Sequence, residues 1–197
     1  MKELIIATKN PGKMKDFKGL FEPLGIRVSS LLDFPELVED IEETGSTFEE
    51  NAAIKAEAIC EKFNLPVISD DSGIEIDALN GAPGVYSARY AGEEKDDLAN
   101  LQKVLNELSD VPKEQRSGRF VCVLAIAQPD EKIILKRGEC EGMIGFEAIG
   151  EYGFGYDPIF YPAGSSRTMA ELTPEEKNNI SHRRKALDKI EKWVKEL

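Results

Sequence analysis

The sequence predicts an α/β protein built around a mixed β-sheet, and three features point that way. Compact apolar runs of strand length, such as Leu4-Ile5-Ile6-Ala7, alternate with longer stretches whose apolar residues recur at helical spacing. The run Val67-Ile68 stops against Ser69-Asp70-Asp71-Ser72-Gly73, and the carboxyl ends of strands are where α/β sheets bind ligands. Residues 119–126 and 133–142 read as adjacent antiparallel strands joined across Pro129-Asp130-Glu131, so the sheet is expected to be mixed rather than purely parallel. At 197 residues the chain reads as a single domain over 1–197, with room for two lobes.

Composition narrows the function. A net charge of −12 repels nucleic acid and anionic membrane, so neither is an expected partner, but basic groups clustered locally can still hold a small polyphosphate. No apolar run approaches the ~18 residues of a membrane span and no signal core follows the N-terminal Met-Lys-Glu, so a cytoplasmic address is expected. Cys60, Cys122 and Cys140 are too scattered for a disulfide framework or a metal cluster and read as reduced structural thiols.

Taken in order, the first strand is followed by Thr8-Lys9-Asn10-Pro11-Gly12-Lys13 and then by Met14, Phe17, Leu20, Phe21 and Leu24 on one helical face. That loop offers a hydroxyl, an amide, two ammonium groups and the backbone N–H groups of a helix start, which together suit a bound phosphate. It also fits an ordinary strand-to-helix turn, and it lacks Walker A spacing. Residues 27–31 read as a second strand. The acidic segment 36–43 reads as solvated surface apart from Glu43, or failing that Glu42, which precedes Thr44-Gly45 and a capped helix. Ser46 with Glu49 and Thr47 with Glu50 both fit a capping box, and Phe48, Ala52, Ala56, Ile59 and Phe63 share the face that follows. Lys55, mid-helix, reads as solvated, though within reach of the same pocket as Glu43.

Asp70 and Asp71 are the central pair. Successive residues of a strand face opposite ways, so only one of them is expected in a given pocket. The motif fits either a strand that exits into an Asx-type turn or a magnesium site, because a hard divalent cation is held by one or two carboxylates plus substrate phosphates. Residues 74–77 then alternate as a strand, Gly81-Ala82-Pro83-Gly84 forms a tight loop, and residues 97–108 form a helix whose Leu98, Leu101, Val104, Leu105 and Leu108 face the core. In residues 150–158, glycines alternate with aromatic side chains, a pattern that suits close backbone approach and stacking on a flat ligand or, equally, a hairpin turn. Ser181 reads as the N-cap of one last helix with Leu187, Ile190 and Val194 buried and Trp193 beside them. Its first turn, His182-Arg183-Arg184-Lys185, opposes the helix dipole, as binding sites often do. His182 is the only histidine, a poor metal ligand without a Cys or His partner.

Six blocks recur in an informative order: Thr8-Lys9-Asn10-Pro11-Gly12-Lys13; Glu42-Glu43-Thr44-Gly45 with Phe48-Glu49-Glu50-Asn51-Ala52; Ser69-Asp70-Asp71-Ser72-Gly73; Gly81-Ala82-Pro83-Gly84 with Ser87-Ala88-Arg89; Gly153-Phe154-Gly155-Tyr156-Asp157-Pro158; and Glu176-Lys177 leading to Ser181-His182-Arg183. This order resembles the inosine/xanthosine triphosphate pyrophosphatase family, the Ham1-like enzymes, over essentially the whole chain. The sequence departs from many relatives at Lys9, where they carry glycine. The resemblance implies an elongated two-lobed fold around a long mixed sheet, an active site in the cleft between the lobes, and a homodimer. It also implies Mg2+-dependent hydrolysis of ITP, dITP and XTP to the monophosphate and pyrophosphate. By position, Thr8, Lys9, Asn10, Pro11, Gly12 and Lys13 would hold phosphates, Glu43 and Asp71 the metal, and Ser72 the substrate, with Asp71 also catalytic. Phe154, Gly155, Tyr156, Asp157, Lys177, His182 and Arg183 would form the nucleotide pocket, with Lys55, Asp70 and Glu42 as possible supports. Two other readings remain at this point: a nucleotide sensor without turnover, and a pyrophosphatase for modified pyrimidine nucleotides.

Overall fold

The structure is a computed structural model that describes residues 2–34 and 41–196. The part of the acidic segment between residues 36 and 40 therefore lies outside the described residues. The strands are β1 (Lys2–Ile6), β2 (Ile26–Ser30), β3 (Val67–Ile76), β4 (Ser117–Ala127), β5 (Ile134–Ile144) and β6 (Phe160–Pro162). The helices are α1 (Pro11–Phe21), α2 (Phe48–Phe63), α3 (Asp97–Glu107), α4 (Pro174–Ile180), α5 (His182–Asp188) and α6 (Glu191–Glu196), with short 3-10 turns between. One sheet runs in the order β2-β1-β3-β4-β5-β6; β1 is parallel to both β2 and β3, and β5 is antiparallel to β6, so the sheet is mixed as the sequence predicts.

The chain forms two compact units, Met1–Asp71 with Val123–Lys136 and Lys189–Leu197, and Ser72–Cys122 with Arg137–Asp188. In the first, Leu4, Ile5 and Ile6 of β1 and Ile68 of β3 are fully buried with Phe17 and Phe21 of α1 and Ile59 of α2. Phe17 and Phe21, one helical turn apart, stack with centroids 6.2 Å apart. In the second, Ile74, Ile76, Phe120, Cys140 and Ile144 of the strands pack with Leu101 and Val104 of α3, Leu108 after it, and Tyr156, Ile159, Phe160 and Met169. All three cysteines are buried. No helix among the described residues is long and apolar enough to cross a membrane.

Three elements differ from the sequence reading. The strand, turn and strand expected around Ser69-Asp70-Asp71-Ser72-Gly73 is one continuous strand, β3, with both aspartates buried in it. Asp, Ser and Gly favour turns only while their polar groups lack better partners, and here α1 and α2 supply lysines to both carboxylates. Leu98 is 71% exposed, so the apolar stripe of α3 is buried only from Leu101 onward. The single C-terminal helix is two: Lys185 N–H bonds Ser181 O and Val194 N–H bonds Ile190 O, each beginning a separate ladder.

Candidate active site

In the first unit the loop after β1 is ordered by its own side chains. Thr8 Oγ1 accepts the Asn10 N–H at 3.1 Å, and Asn10 Oδ1 accepts the N–H groups of Gly12 at 2.9 Å and Lys13 at 3.1 Å. Asn10 is thus the N-cap of α1, with Pro11 at the first helical position, where a missing N–H costs nothing. Two of the helix-start donors expected to face a phosphate are in this structure bonded to Asn10. The ammonium charge of this loop comes from exposed Lys9 and half-buried Lys13.

Lys13 Nζ lies 2.8 Å from Asp70 Oδ2. Lys55 Nζ lies 2.7 Å from Glu43 Oε1, 2.9 Å from the Asp70 carbonyl oxygen and 3.6 Å from Asp71 Oδ1. Neighbouring strand residues face opposite ways, and each aspartate meets a different lysine on a different helix. Three carboxylates therefore meet two lysines in a dry setting, with the Asp70 side chain fully buried and that of Lys55 13% exposed. Burial pushes the Asp71 carboxyl above the ordinary aspartate range; Lys55 pulls it back, and Glu43 adds to the rise. Burial alone would lower the Lys55 ammonium, but Asp71, Glu43 and Asp70 outweigh it and hold it above the ordinary lysine range. Of the two candidate glutamates, Glu43 is half-buried and reaches Lys55, while Glu42 is exposed.

Lys55 is a central member of this cluster rather than a solvated side chain. The sequence held the signal, since Lys55 follows the fully buried Ala52 by three positions and precedes the buried Ile59 by four, which places it beside that face of α2. Three supports carried no such signal. Asn51, fully buried, accepts the Gly45 N–H on Oδ1 at 2.8 Å and so fixes the segment that carries Glu43. A Cβ on Gly45 would stand 2.6 Å from Glu50 Cβ, so only glycine lets this segment lie against the first turn of α2. The Ser69 hydroxyl donates to the Ala52 carbonyl and ties β3 to the same helix.

In the second unit Ser72, half-buried, directly follows Asp71 on β3. Two residues on, Ile74 N–H donates to Ser87 Oγ at 2.9 Å, Ser87 Oγ donates to Gly84 O, and the Tyr156 hydroxyl donates to Ser87 O at 2.7 Å. Tyr156 is buried, and burial raises its phenol well above the usual tyrosine range. Phe154, two residues before it, is 45% exposed. Its N–H donates to Asp157 Oδ2 at 2.9 Å, and the Gly155 N–H donates to Asp97 Oδ2 at 2.8 Å. Asp157 is buried and paired with Lys177, whose Nζ lies 5.0 Å from the Phe154 ring centroid, a cation–π distance. Gly153 has φ +81°, and a Cβ there would collide with Asp157 Oδ2, so the turn requires glycine twice over.

Lys177 sits on α4, a helix absent from the sequence reading. Its signal was the capping box Thr173 to Glu176 with Pro174 at the first helical position, but α4 buries no residue fully and shows no apolar stripe. His182 and Arg183 open α5 and are both buried, the imidazole stacked on Phe120 at 5.0 Å and 17°. Gly138 on β5 permits this, because a Cβ there would stand 2.2 Å from His182 O and 2.4 Å from Ala186 N. Of the four basic residues at this helix start, His182 and Arg183 are therefore packed into the unit, while Arg184 is half-buried and Lys185 exposed.

Among the described residues no group of three or more His, Cys, Asp or Glu is arranged to hold a metal by itself. Glu43 and Asp71 nevertheless offer the hard oxygen donors that Mg2+ takes alongside substrate oxygens and water. Burial lifts the Asp71 carboxyl and the Glu43 charge adds to the rise; an added cation would offset both, so the donor set fits the ion.

Residues 4–193 match the model of the Ham1 family. The chain is 59% identical to the dITP/XTP pyrophosphatase of Oceanobacillus iheyensis over 194 residues, covering 98% of each protein. It is 58% identical to the dITP/XTP pyrophosphatase of Bacillus subtilis over 194 residues, again covering 98% of each. Among solved structures, the Staphylococcus aureus Ham1 protein superposes with a TM-score of 0.89 at 46% identity, covering 99% of both chains. A HAM1 protein from Coxiella burnetii superposes with a TM-score of 0.91 at 44% identity over 100% of both.

Proposed function

Because the chain belongs to the Ham1 family, we propose that it is a nucleoside triphosphate pyrophosphatase that clears dITP, ITP and XTP from the nucleotide pool, releasing the monophosphate and pyrophosphate. The observation that carries this reading is the cluster on β3, where Asp70 and Asp71 face Lys13 and Lys55 in a dry setting with Glu43 alongside. Such a cluster can order a metal-bound polyphosphate and a water together.

Glu43 and Asp71 are the residues that would hold magnesium, which when bound neutralises charge on the phosphate oxygens. Lys13 and Lys9 bind phosphate, with Thr8, Asn10, Pro11 and Gly12 shaping the loop, and Lys13 stabilises the departing pyrophosphate. For this Lys13 must exchange Asp70 for substrate, and a phosphate seeking the Gly12 and Lys13 N–H groups must displace Asn10. Asp71 orients or deprotonates the water that attacks the α-phosphorus, a role that its raised pKa suits. Lys55 holds Asp71 and Glu43 in place, and Ser72, next in the chain, contacts substrate. In the second unit Phe154 stacks on the base beside Gly155, Tyr156 and Asp157, while Lys177, His182 and Arg183 supply donors to the 6-oxo group of hypoxanthine or xanthine. The same premise carries a homodimer, a cytoplasmic address where the nucleotide pool lies, and no nucleic-acid polymer as partner.

The deciding experiment is a panel of nucleoside triphosphates assayed for pyrophosphate with and without magnesium. Magnesium-dependent release from dITP, ITP and XTP is expected, with very little from ATP. Binding without release would point to a sensor, and preference for a modified pyrimidine triphosphate would overturn the assigned base.

A further inference from the structure

We propose that Asp97, in the first turn of α3, is a positioning residue for base recognition that acts through Gly155 on the Phe154 ring. This rests on the function proposed above. Two carboxylates bracket Phe154: Asp157 Oδ2 holds the Phe154 N–H at 2.9 Å and Asp97 Oδ2 holds the Gly155 N–H at 2.8 Å. Each N–H reports the orientation of a rigid peptide plane, so together the two bonds fix both backbone torsions at the Phe154 Cα. The ring is then left with only its side-chain rotations. An aromatic ring 45% exposed on so constrained a backbone is a prepared stacking surface, and Lys177, which pairs with Asp157, also faces that ring.

The two anchors differ in kind. Asp157 lies three residues from Phe154 in the chain and is buried and paired with Lys177 of α4. Asp97 belongs to a helix set in the core through Leu101 and Val104, with Leu108 just beyond it, and capped by Asp96, whose Oδ1 accepts the Ala99 N–H at 3.0 Å. Asn100 on the same helix accepts the Ala91 N–H and donates to Ala88 O at 3.0 Å, locking α3 to the preceding segment. Gly155 is at φ +59°, a conformation that suits glycine, and the bond from its N–H ties it to Asp97 on α3. The helix that looks from sequence like core packing alone therefore fixes the loop from outside.

The test compares Asp97→Ala and Asp97→Asn in the full-length enzyme with dITP and magnesium, following pyrophosphate, with melting temperature as a control. Asparagine keeps an oxygen that can accept the Gly155 N–H, whereas alanine does not. One lost hydrogen bond predicts a rise in KM of roughly fivefold for Asp97→Ala with kcat held within about twofold. Asp97→Asn should restore KM, and the Gly155 amide should exchange faster with solvent in the alanine variant only. Parent activity with an unchanged KM in Asp97→Ala overturns the assignment and leaves the proposed function standing. Equal loss in both variants would implicate charge rather than the bond and overturn it too, as would a common fall in kcat and melting temperature. A parent enzyme that releases no pyrophosphate from dITP or XTP sinks the functional reading and this inference with it.

Discussion

Asp70 and Asp71 are adjacent on β3, yet Asp70 pairs with Lys13, the proposed phosphate and leaving-group cation, while Asp71 faces Lys55 and Glu43. Neutralising Asp71 removes a proposed metal ligand and base while keeping its shape. Asp71→Asn is therefore expected to cut kcat for dITP by about a hundredfold or more. Asp70→Asn frees Lys13 without touching the water and should cost far less; near-equal losses would show that the roles are wrongly divided. The pH sign follows from burial. Since the native Asp71 pKa lies above its ordinary 3.8, the native state binds this proton more tightly than the unfolded chain does. That contribution to stability is complete below pH 3.8 and is lost as pH rises through the native pKa. At neutral pH the ionised group opposes folding, so Asp71→Asn should keep or raise the melting temperature while activity falls. The parent's kcat/KM should lose activity on the acid side at a pH above the ordinary aspartate range. A variant that lost activity only by unfolding would contradict both expectations.

At the scale of elements, α2 shows what a helix adds beyond its own core face. Asn51 is fully buried on α2 and holds the Gly45 N–H, two residues after Glu43. Asn51→Ala leaves that donor unpaired and is expected to cost about 1–3 kcal/mol in urea unfolding. It should also lower dITP turnover, because Glu43 is no longer placed; full turnover in a destabilised variant would show that Asn51 supports the fold alone. A second element-level expectation concerns α5. Hypoxanthine and xanthine offer a 6-oxo acceptor, adenine a 6-amino donor, so buried cationic donors discriminate by leaving the wrong base unpaired. Arg183→Ala should lower kcat/KM for ITP far more than for ATP, and an equal factor for both would mean that Arg183 does not read the base. How much of this the sequence made legible varied with how local the information was. The strand-loop-helix at residues 4–21 and the capped face of α2 were legible because period and capping residues are local signals. The continuity of β3 was not, because its turn-forming residues are held extended by Lys55 and Lys13, which lie 15 and 57 positions from Asp70 in the chain. Asp97 escaped for the same reason, since its partner Gly155 lies 58 positions along the chain.

At the scale of the whole molecule, charge sets how the substrate arrives. The net charge of −12 was legible from composition, but not that the local cluster is also short of positive charge, with three carboxylates against Lys13 and Lys55. A triphosphate therefore meets a repulsive field at long range and lysines already engaged at short range. Magnesium bound to the substrate lowers both barriers, so metal is expected to act on KM as well as on kcat. Salt separates the two ranges. Raising ionic strength from about 0.01 to 0.1 M shortens the Debye length from ~30 to ~10 Å, which screens the molecule's field more than contacts inside a dry cluster. With magnesium saturating and its activity held constant, kcat/KM for dITP should stay level or rise over that range, because screening removes net repulsion before it weakens the close pairs. Proteins that collect polyanions on a basic surface show the opposite, a steep fall as counterions compete. A comparable fall here would mean that the substrate is steered in by positive charge outside this cluster, and that Lys13 does not dominate its capture.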